Sequence, residues 1–253
     1  FINSDVSLDG DPVIGSFTAD GLTFAVADGS TVELVGVTGA EGAFGSEVPA
    51  SPQPPSAPTP EAVNLVLPET VAYEGSEYTL ASIAPYALYL SGVTDVTLPA
   101  SVSDVDDRAF RSSDVASVTV AEGNPAYSSS DGALYDADQL SLLLIPEGKQ
   151  GTVRIPKTAE VAEASVFSHC PLVDSISVDA GSAAFASENG LLYAASLTTL
   201  LRVLAGATDI TIREGCTIIA VGALEACSKL TTINAPSSVT AISPDIFTAI
   251  PTV

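Results

Sequence analysis

Residues 127–146 read YSSSDGALYDADQLSLLLIP, and residues 185–204 read FASENGLLYAASLTTLLRVL. The second stretch repeats the pattern of the first at a constant offset, so that Asp131-Gly132 matches Asn189-Gly190 and Tyr135 matches Tyr193. A copy at a fixed period is typical of architectures in which one structural unit stacks on the next. The duplicated stretch therefore predicts a repeat protein.

The segments around the duplicated stretch repeat as well. They recur at an equal interval and read VTLPASVSDVDDRAF at 96–110, VRIPKTAEVAEASVF at 153–167 and ITIREGCTIIAVGAL at 210–224. A second short apolar stretch follows within each unit: ASVTV at 116–120, DSISV at 174–178 and TTINA at 231–235. The paired positions are Leu98 and Val118, Ile155 and Ile176, and Ile212 and Ile233. Each pair is separated by about 20 residues, within the range of leucine-rich repeats, roughly 20–29 residues.

Each of these short stretches is predicted to be a strand with alternate side chains, such as Val96 and Leu98, facing inward. The segments that follow, DVDDRAF, EASVF and VGALEAC, are predicted to be short helices or turns that return Phe110, Phe167 and Leu224 to the core. No coil can cover its own apolar face, so we expect the strands of neighbouring coils to stack in parallel.

The central part of the duplicated stretch, GALYDADQLSLLLI at 132–145, fits a β-hairpin inserted between coils, with DADQ as its reversal. Asp131-Gly132 and Asn189-Gly190 suit positions that need a positive φ. The stretch repeats Leu, Tyr and Gly and not nucleophiles or bases, so it is interpreted as architecture.

The two ends of the chain differ from the repeats. Residues 15–37, GSFTADGLTFAVADGSTVELVGV, alternate apolar and polar residues around Asp20-Gly21 and Asp28-Gly29, which is typical of a β-meander. Residues 1–48 are therefore interpreted as an N-terminal β-rich cap or first repeat, with the end of an upstream domain as the alternative. Residues 49–61 begin PASPQPPSAPTP and are predicted to be an exposed Pro-rich loop or linker. Residues 62–253 are predicted to form the solenoid.

The combined pattern resembles BspA-type leucine-rich repeat proteins. It consists of an LP-x-S-V strand, an x-x-A-F-x-x-C turn and then NPAYSSSDGALYDADQLSLLLIP. Residues on the motif are Ala109-Phe110, Val166-Phe167, Cys170, Cys227 and Phe247; departures are Ala223-Leu224, Ser113 and Arg202.

The resemblance implies a leucine-rich-repeat solenoid, mainly β, with short helical or turn segments and inserted β-hairpins. It also implies a secreted or wall-attached bacterial cell-surface protein concerned with adhesion or partner recognition.

Composition restricts the partners. Hydrophobic residues make up 46% of the 253 and can form a sizeable core. The 31 acidic against 8 basic residues give a net charge of -23, which opposes binding to nucleic acid or anionic lipid. No apolar run reaches the roughly 18 residues of a membrane span, so we expect no membrane insertion here. The sequence contains no Met and no leader, and we expect any signal, anchor or further repeats to lie outside it.

The chain has a single histidine, His169, which lies beside Cys170 in the sequence. Cys170 is predicted to face the core and His169 the solvent, which favours an exposed turn residue over a catalytic dyad. Asp104, Asp106 and Asp107 offer oxygen ligands for calcium, but no EF-hand loop accompanies them, and solvated turn charges are the preferred interpretation.

The three cysteines, Cys170, Cys216 and Cys227, are interpreted as small buried side chains. Stacking of the coils predicts roughly 10 Å between Cys170 and Cys227, too far for a disulfide.

The sequence thus predicts no enzyme, no catalytic, metal or cofactor-binding residues and no cofactor. The leading hypothesis is an extracellular protein that binds a protein or glycoprotein on a host or bacterial surface. The alternatives are a structural spacer or stalk and a carbohydrate-binding module that uses the acidic residues.

Overall fold

The computed structural model describes residues 15–37, 62–162, 164–225 and 227–242. The Pro-rich segment 49–61, the ends of the 1–48 cap and the motif residue Phe247 lie outside the described residues. The chain divides into two compact units, Phe1–Val115 with Ala121–Ala126, and Ala116–Val120 with Tyr127–Val253.

The first unit begins with the predicted β-meander. Its strands are β1 (Ser16–Ala19), β2 (Leu22–Val26) and β3 (Thr31–Val37), paired antiparallel in that order. Asp20 and Gly21 form the first corner with φ of 49° and 78°. At the second corner the Asp28 carboxylate accepts hydrogen bonds from the N–H groups of Ser30 and Thr31, each 2.8 Å long. The prediction of a meander is confirmed.

Two parallel ladders complete the first unit. The remaining strands are β4 (Asn64–Val66), β5 (Thr70–Tyr73), β6 (Ser76–Ile83), β7 (Asp95–Leu98) and β8 (Asp104–Val105). Ladder A is formed by β4 and β7; ladder B is formed by β3, β6 and β8, with β5 antiparallel to β6. Val96, Leu98 and Phe110 are buried, as predicted from the alternation along the strands and the turn that follows.

The second unit repeats this arrangement. Its strands are β9 (Ser117–Val120), β10 (Tyr127–Ser130), β11 (Ala133–Asp136), β12 (Ser141–Leu144), β13 (Gly151–Ile155), β14 (Val161–Ala162), β15 (Val173–Val178), β16 (Phe185–Glu188), β17 (Leu191–Ala194), β18 (Thr199–Arg202), β19 (Asp209–Thr211), β20 (Ile218–Ile219), β21 (Thr232–Asn234) and β22 (Ala241–Ile242). Ladder A pairs β13 with β15 and β19 with β21, while ladder B pairs β12 with β14, β18 with β20, and β20 with β22. All these ladder pairs are parallel.

The turns between the ladders return apolar side chains to the core, as predicted. Residues Ala164–Phe167 form a short 3-10 helix, and the corresponding segments before Phe110 and Leu224 are turns. Phe167 and Leu224 are buried. The fold is a leucine-rich-repeat solenoid built mainly of short strands.

The duplicated stretch forms a three-stranded antiparallel sheet in each copy, β10-β11-β12 and β16-β17-β18. The predicted hairpin corresponds to β11 and β12. The additional strand β10 precedes it and turns at Asp131-Gly132, where φ is 51° and 77°; Asn189 and Gly190 match with 55° and 75°. The positive φ at both positions is typical of a type I′ turn.

Candidate functional site

A groove of about 670 Å³ lies in the second unit, between β15 and β19. Leu172 and Asp174 line one side of it, and Ala207, Asp209 and Thr211 line the other. Volumes of this size are typical of ligand pockets, about 300–1,000 Å³. The groove is therefore large enough to take part of a partner molecule.

The groove exists because the inserted sheet β16-β17-β18 interrupts ladder A. Within the described part of the second unit, β15 pairs with β13 and β19 pairs with β21, but β15 and β19 belong to separate sheets. The tip of the insertion lines the groove and is held against β15, because Gly190 accepts a 3.0 Å hydrogen bond from the N–H of Ile176. Gly190 also lies close to β15, since a Cβ there would be 3.1 Å from the Cβ of Ser175.

The first copy of the duplicated stretch shows what can occupy such a space. The N–H of Lys149 donates to the carbonyl of Pro146 at 3.0 Å, and that of Ala207 donates to Leu204 at 3.1 Å, so Lys149 and Ala207 hold the same position in their turns. The Lys149 side chain extends to the turn residue Asp131, where its ammonium contacts the carboxylate at 3.3 Å and donates to the backbone carbonyl. Ala207 is too short to do the same, and the space stays open.

The turn residues Asp131 and Asn189 also hold equivalent places. The Asp131 carboxylate accepts the N–H of Arg154 at 2.9 Å, while the Asn189 side-chain amide donates to the carbonyl of Thr211 at 3.2 Å. Arg154 and Thr211 match in the repeat. The donor nitrogen of Asn189 is thus engaged, which leaves its side-chain oxygen as an acceptor.

The groove carries negative charge. Its lining includes two carboxylates, Asp174 and Asp209, and no Lys, Arg or His. Hydrogen bonds from the side chains of Thr232 and Thr208 hold the pKa of Asp209 below its usual value. Asp209 is exposed and charged at neutral pH, so the groove favours cationic groups.

His169 and Cys170 do not form a catalytic pair. His169 is exposed and Cys170 is fully buried, as predicted. The Cys170 thiol donates to the carbonyl of Phe167 at 3.3 Å, and burial raises the pKa of this thiol to about 12. The thiolate, which is the nucleophilic form, is therefore scarce at neutral pH.

The three cysteines are free and buried. Ser113, which stands where the repeat has Cys170, donates its hydroxyl to the carbonyl of Phe110 at 2.7 Å. This is the counterpart of the bond from the Cys170 thiol. Ser113 and Cys170 thus hold their turns in the same way, whereas the Cys227 thiol donates to the carbonyl of Leu204 at 3.5 Å.

An arginine pairs with two of the three carboxylates in the predicted acidic cluster. The Arg108 guanidinium donates to both carboxylate oxygens of Asp106, at 3.1 and 3.2 Å, and lies 3.6 Å from Asp107. These bonds lower the pKa of Asp106. Within the described ranges, no group of three or more His, Cys, Asp or Glu could hold a metal ion.

Short parallel strands in ladders around an apolar core define the class of leucine-rich-repeat proteins. The chain belongs to the family described as the BspA type leucine rich repeat region, which it matches in six copies over residues 81–198 and 204–252. The resemblance inferred from the turn and hairpin motifs is confirmed.

Several solved structures are similar to the chain. The pneumococcal vaccine antigen PcpA shares 13% identity at a TM-score of 0.49, over 92% of this chain and 67% of that one. A leucine-rich repeat protein from Eubacterium ventriosum shares 14% at a TM-score of 0.44, over 88% and 60%. The T. pallidum leucine-rich repeat protein shares 13% at 0.36, over 89% and 85%. No curated protein matches the chain.

The groove was not found by reasoning from the sequence, which named no site residues. Its signal is the replacement of Lys149 by Ala207 at equivalent places in the two copies. That exchange becomes meaningful once both side chains are seen beside the tip of the inserted sheet.

Proposed function

We propose that the protein is a non-enzymatic, secreted or surface-displayed bacterial repeat protein that binds a protein or glycoprotein partner, with the groove of the second unit as its recognition site. The observation that carries this proposal is the groove itself, a concave site of about 670 Å³ with two carboxylates and no cationic side chain. Polar groups converge there on an apolar floor that includes Val173 and Ile210, both buried. A concave surface where polar groups lie beside apolar side chains supports contact with a partner.

The chemistry of the groove supports binding and not catalysis. Its lining contains no cysteine, serine or histidine, and its candidate reactive groups are the carboxylates of Asp174 and Asp209 and two threonine hydroxyls. The side chains of Thr208, Asp209 and Thr211 lie together in the groove lining, and their hydroxyls and carboxylate supply hydrogen-bond donors and acceptors for a polar ligand.

Membership in the BspA-type family supports an extracellular location, exposed to host or bacterial surfaces. The net charge of -23 favours partners with basic surfaces over nucleic acid. No helix in the described ranges is long and apolar enough to cross a bilayer.

The test measures, by biolayer interferometry at physiological salt, binding of the 253-residue chain to immobilised matrix proteins and mucins. Ala207→Trp places a large side chain in the groove, and Val221→Trp adds the same bulk at a side chain that is 70% exposed and lies outside the groove lining. We expect Ala207→Trp to weaken binding at least tenfold and Val221→Trp to leave it unchanged. Equal effects of both variants, or no binding by the folded chain, would contradict the proposal, and the latter would favour the spacer hypothesis.

A further inference from the structure

We propose that the groove binds a lysine side chain of the partner, with the ammonium at the tip of the inserted sheet, where Lys149 places its own ammonium in the first copy. This inference rests on the proposed function and specifies the chemistry of its ligand. The chain itself supplies the template, because the two copies differ at the residue that would fill the space.

The template is a lysine that serves as an intramolecular occupant. The side chain of Lys149 is only 14% exposed, so its aliphatic part packs against the protein while its ammonium reaches Asp131. It contacts both a carboxylate and a backbone carbonyl of that one residue. A compact ammonium with three donors suits this pair of acceptors.

The second copy keeps the receiving end of this arrangement. Asn189 has the same left-handed backbone as Asp131, with φ of 55° against 51°, so the tip carbonyl follows the same course. The Asn189 side-chain nitrogen faces Thr211, on the side where the Asp131 carboxylate accepts from Arg154, so the acceptors that the second copy keeps at the tip are the backbone carbonyl and the amide oxygen of Asn189. What the second copy lacks is the cation, because Ala207 stands at the position of Lys149.

The charge that Asn189 lacks is present nearby. Asp174 and Asp209 line the same groove from opposite sides, and neither forms an ion pair among the described residues. In the first copy the corresponding cation is supplied from within the chain. In the second copy the groove lining holds two carboxylates without an ion pair among the described residues, and the Asp209 carboxylate accepts hydrogen bonds from threonine hydroxyls. An external ammonium would complete the set with favourable charge.

The test uses a capped pentapeptide that carries one lysine between alanine and glycine residues, titrated into the ¹⁵N-labelled chain at physiological salt. The matched probe is the same peptide with acetyl-lysine, which removes the charge and keeps the aliphatic side chain. We expect amide shift changes at Gly190, Ala207 and Thr211, at least fivefold larger with lysine than with acetyl-lysine. Changes spread evenly over the acidic surface, or equal changes with both peptides, would overturn the inference.

Variants of the chain make the result specific. Ala207→Lys supplies the missing lysine internally and is expected to reduce the peptide shifts at Gly190 at least fivefold, while Val221→Lys, with the same charge outside the groove lining, leaves them unchanged. Asn189→Asp restores the tip of the first copy and is expected to tighten lysine binding about two- to fivefold, the range of an exposed ion pair. An Ala207→Lys chain that binds the peptide as the parent does would overturn the inference.

The same approach separates this inference from the proposed function. A matrix protein or mucin that binds the chain is tested again after acetylation of its lysines. At least tenfold weaker binding supports a lysine ligand. Unchanged binding that is still lost in Ala207→Trp rejects the lysine and retains the groove as the recognition site, whereas no binding before acetylation rejects the proposed function itself.

Discussion

Tyr135 and Tyr193 occupy equivalent positions in the two copies of the duplicated stretch, and both side chains are fully buried. The Tyr193 hydroxyl accepts a hydrogen bond from the backbone N–H of Arg213 at 3.2 Å. The Tyr135 hydroxyl has no partner among the described residues. The repeat explains the difference, because the residue that matches Arg213 is Pro156, which has no N–H to donate.

The same substitution should therefore have opposite effects at the two positions. Tyr193→Phe removes a hydrogen bond and is expected to lower the free energy of unfolding by about 1 kcal/mol. Tyr135→Phe removes a buried hydroxyl that lacks a protein partner and is expected to raise the free energy of unfolding by about 1 kcal/mol, because leaving such a group unsatisfied costs about 1–3 kcal/mol. The two variants should differ by about 2 kcal/mol.

Urea unfolding followed by far-UV circular dichroism measures both variants, and thermal melting should separate them by about 4–8 °C. The control repeats Tyr135→Phe in a chain that carries Pro156→Ala, because that change returns an N–H to the position that faces Tyr135. In that background Tyr135→Phe is expected to become destabilising. If Tyr135→Phe in the parent chain is as destabilising as Tyr193→Phe, the Tyr135 hydroxyl has a bonding partner and the reasoning is wrong.

Three further predictions concern the turns, a thiol and a buried amide. Gly190→Ala is expected to lower the free energy of unfolding by about 1–2 kcal/mol because Gly190 has a positive φ, and by more because the new Cβ would lie 3.1 Å from Ser175. Gly181→Ala is the control, since Gly181 has a φ of 86° with open space around it and only the φ cost applies. Equal unfolding midpoints of the two variants in urea would contradict the effect of crowding. Burial raises the pKa of Cys170 to about 12, so its neutral form stabilises the fold below the unfolded thiol pKa near 8.5, and this stability should be lost as the pH rises from about 9 to 12. Cys170→Ala should reduce this loss in urea unfolding at alkaline pH, and an unchanged dependence of stability on pH would refute the prediction. The buried Asn124 amide donates to two carbonyls at 3.0 and 2.8 Å and accepts one N–H at 2.9 Å. Asn124→Ala should therefore lower the free energy of unfolding by about 2–4 kcal/mol. A loss under about 1 kcal/mol in urea unfolding would show that these bonds contribute little.

The ladder strands were predictable because their signal is local. Alternation along VTLP places Val96 and Leu98 on one side of the chain, and burial of that side follows from the hydrophobic effect alone. The positive φ at Asp131 and Asn189 was equally local, since Asp-Gly and Asn-Gly pairs tolerate the left-handed region. Such features need no knowledge of which coil lies beside which.

The additional strand β10 was not predicted, because YSSS has little apolar alternation. It is held by contacts with other segments: it pairs with β11, and the Ser129 hydroxyl accepts the N–H of Val120 at 3.0 Å. The second copy has the same bond from Val178 to Ser187 at 2.9 Å. Polar side chains that bond the backbone of a neighbouring strand leave no periodic signal in the sequence.

The sequence by itself determined the class of fold and the period of the repeat. It also determined the burial of Phe110, Phe167 and Leu224 and the exposure of His169. Each of these depends on a pattern within a single coil or on the recurrence of that pattern along the chain. Only the tertiary structure decided the groove. Its sides come from segments far apart in the chain, 171–174 and 204–211, and its opening depends on a lysine in one copy and an alanine in the other. A space between side chains is a property of segments brought together by folding, and no single segment encodes it.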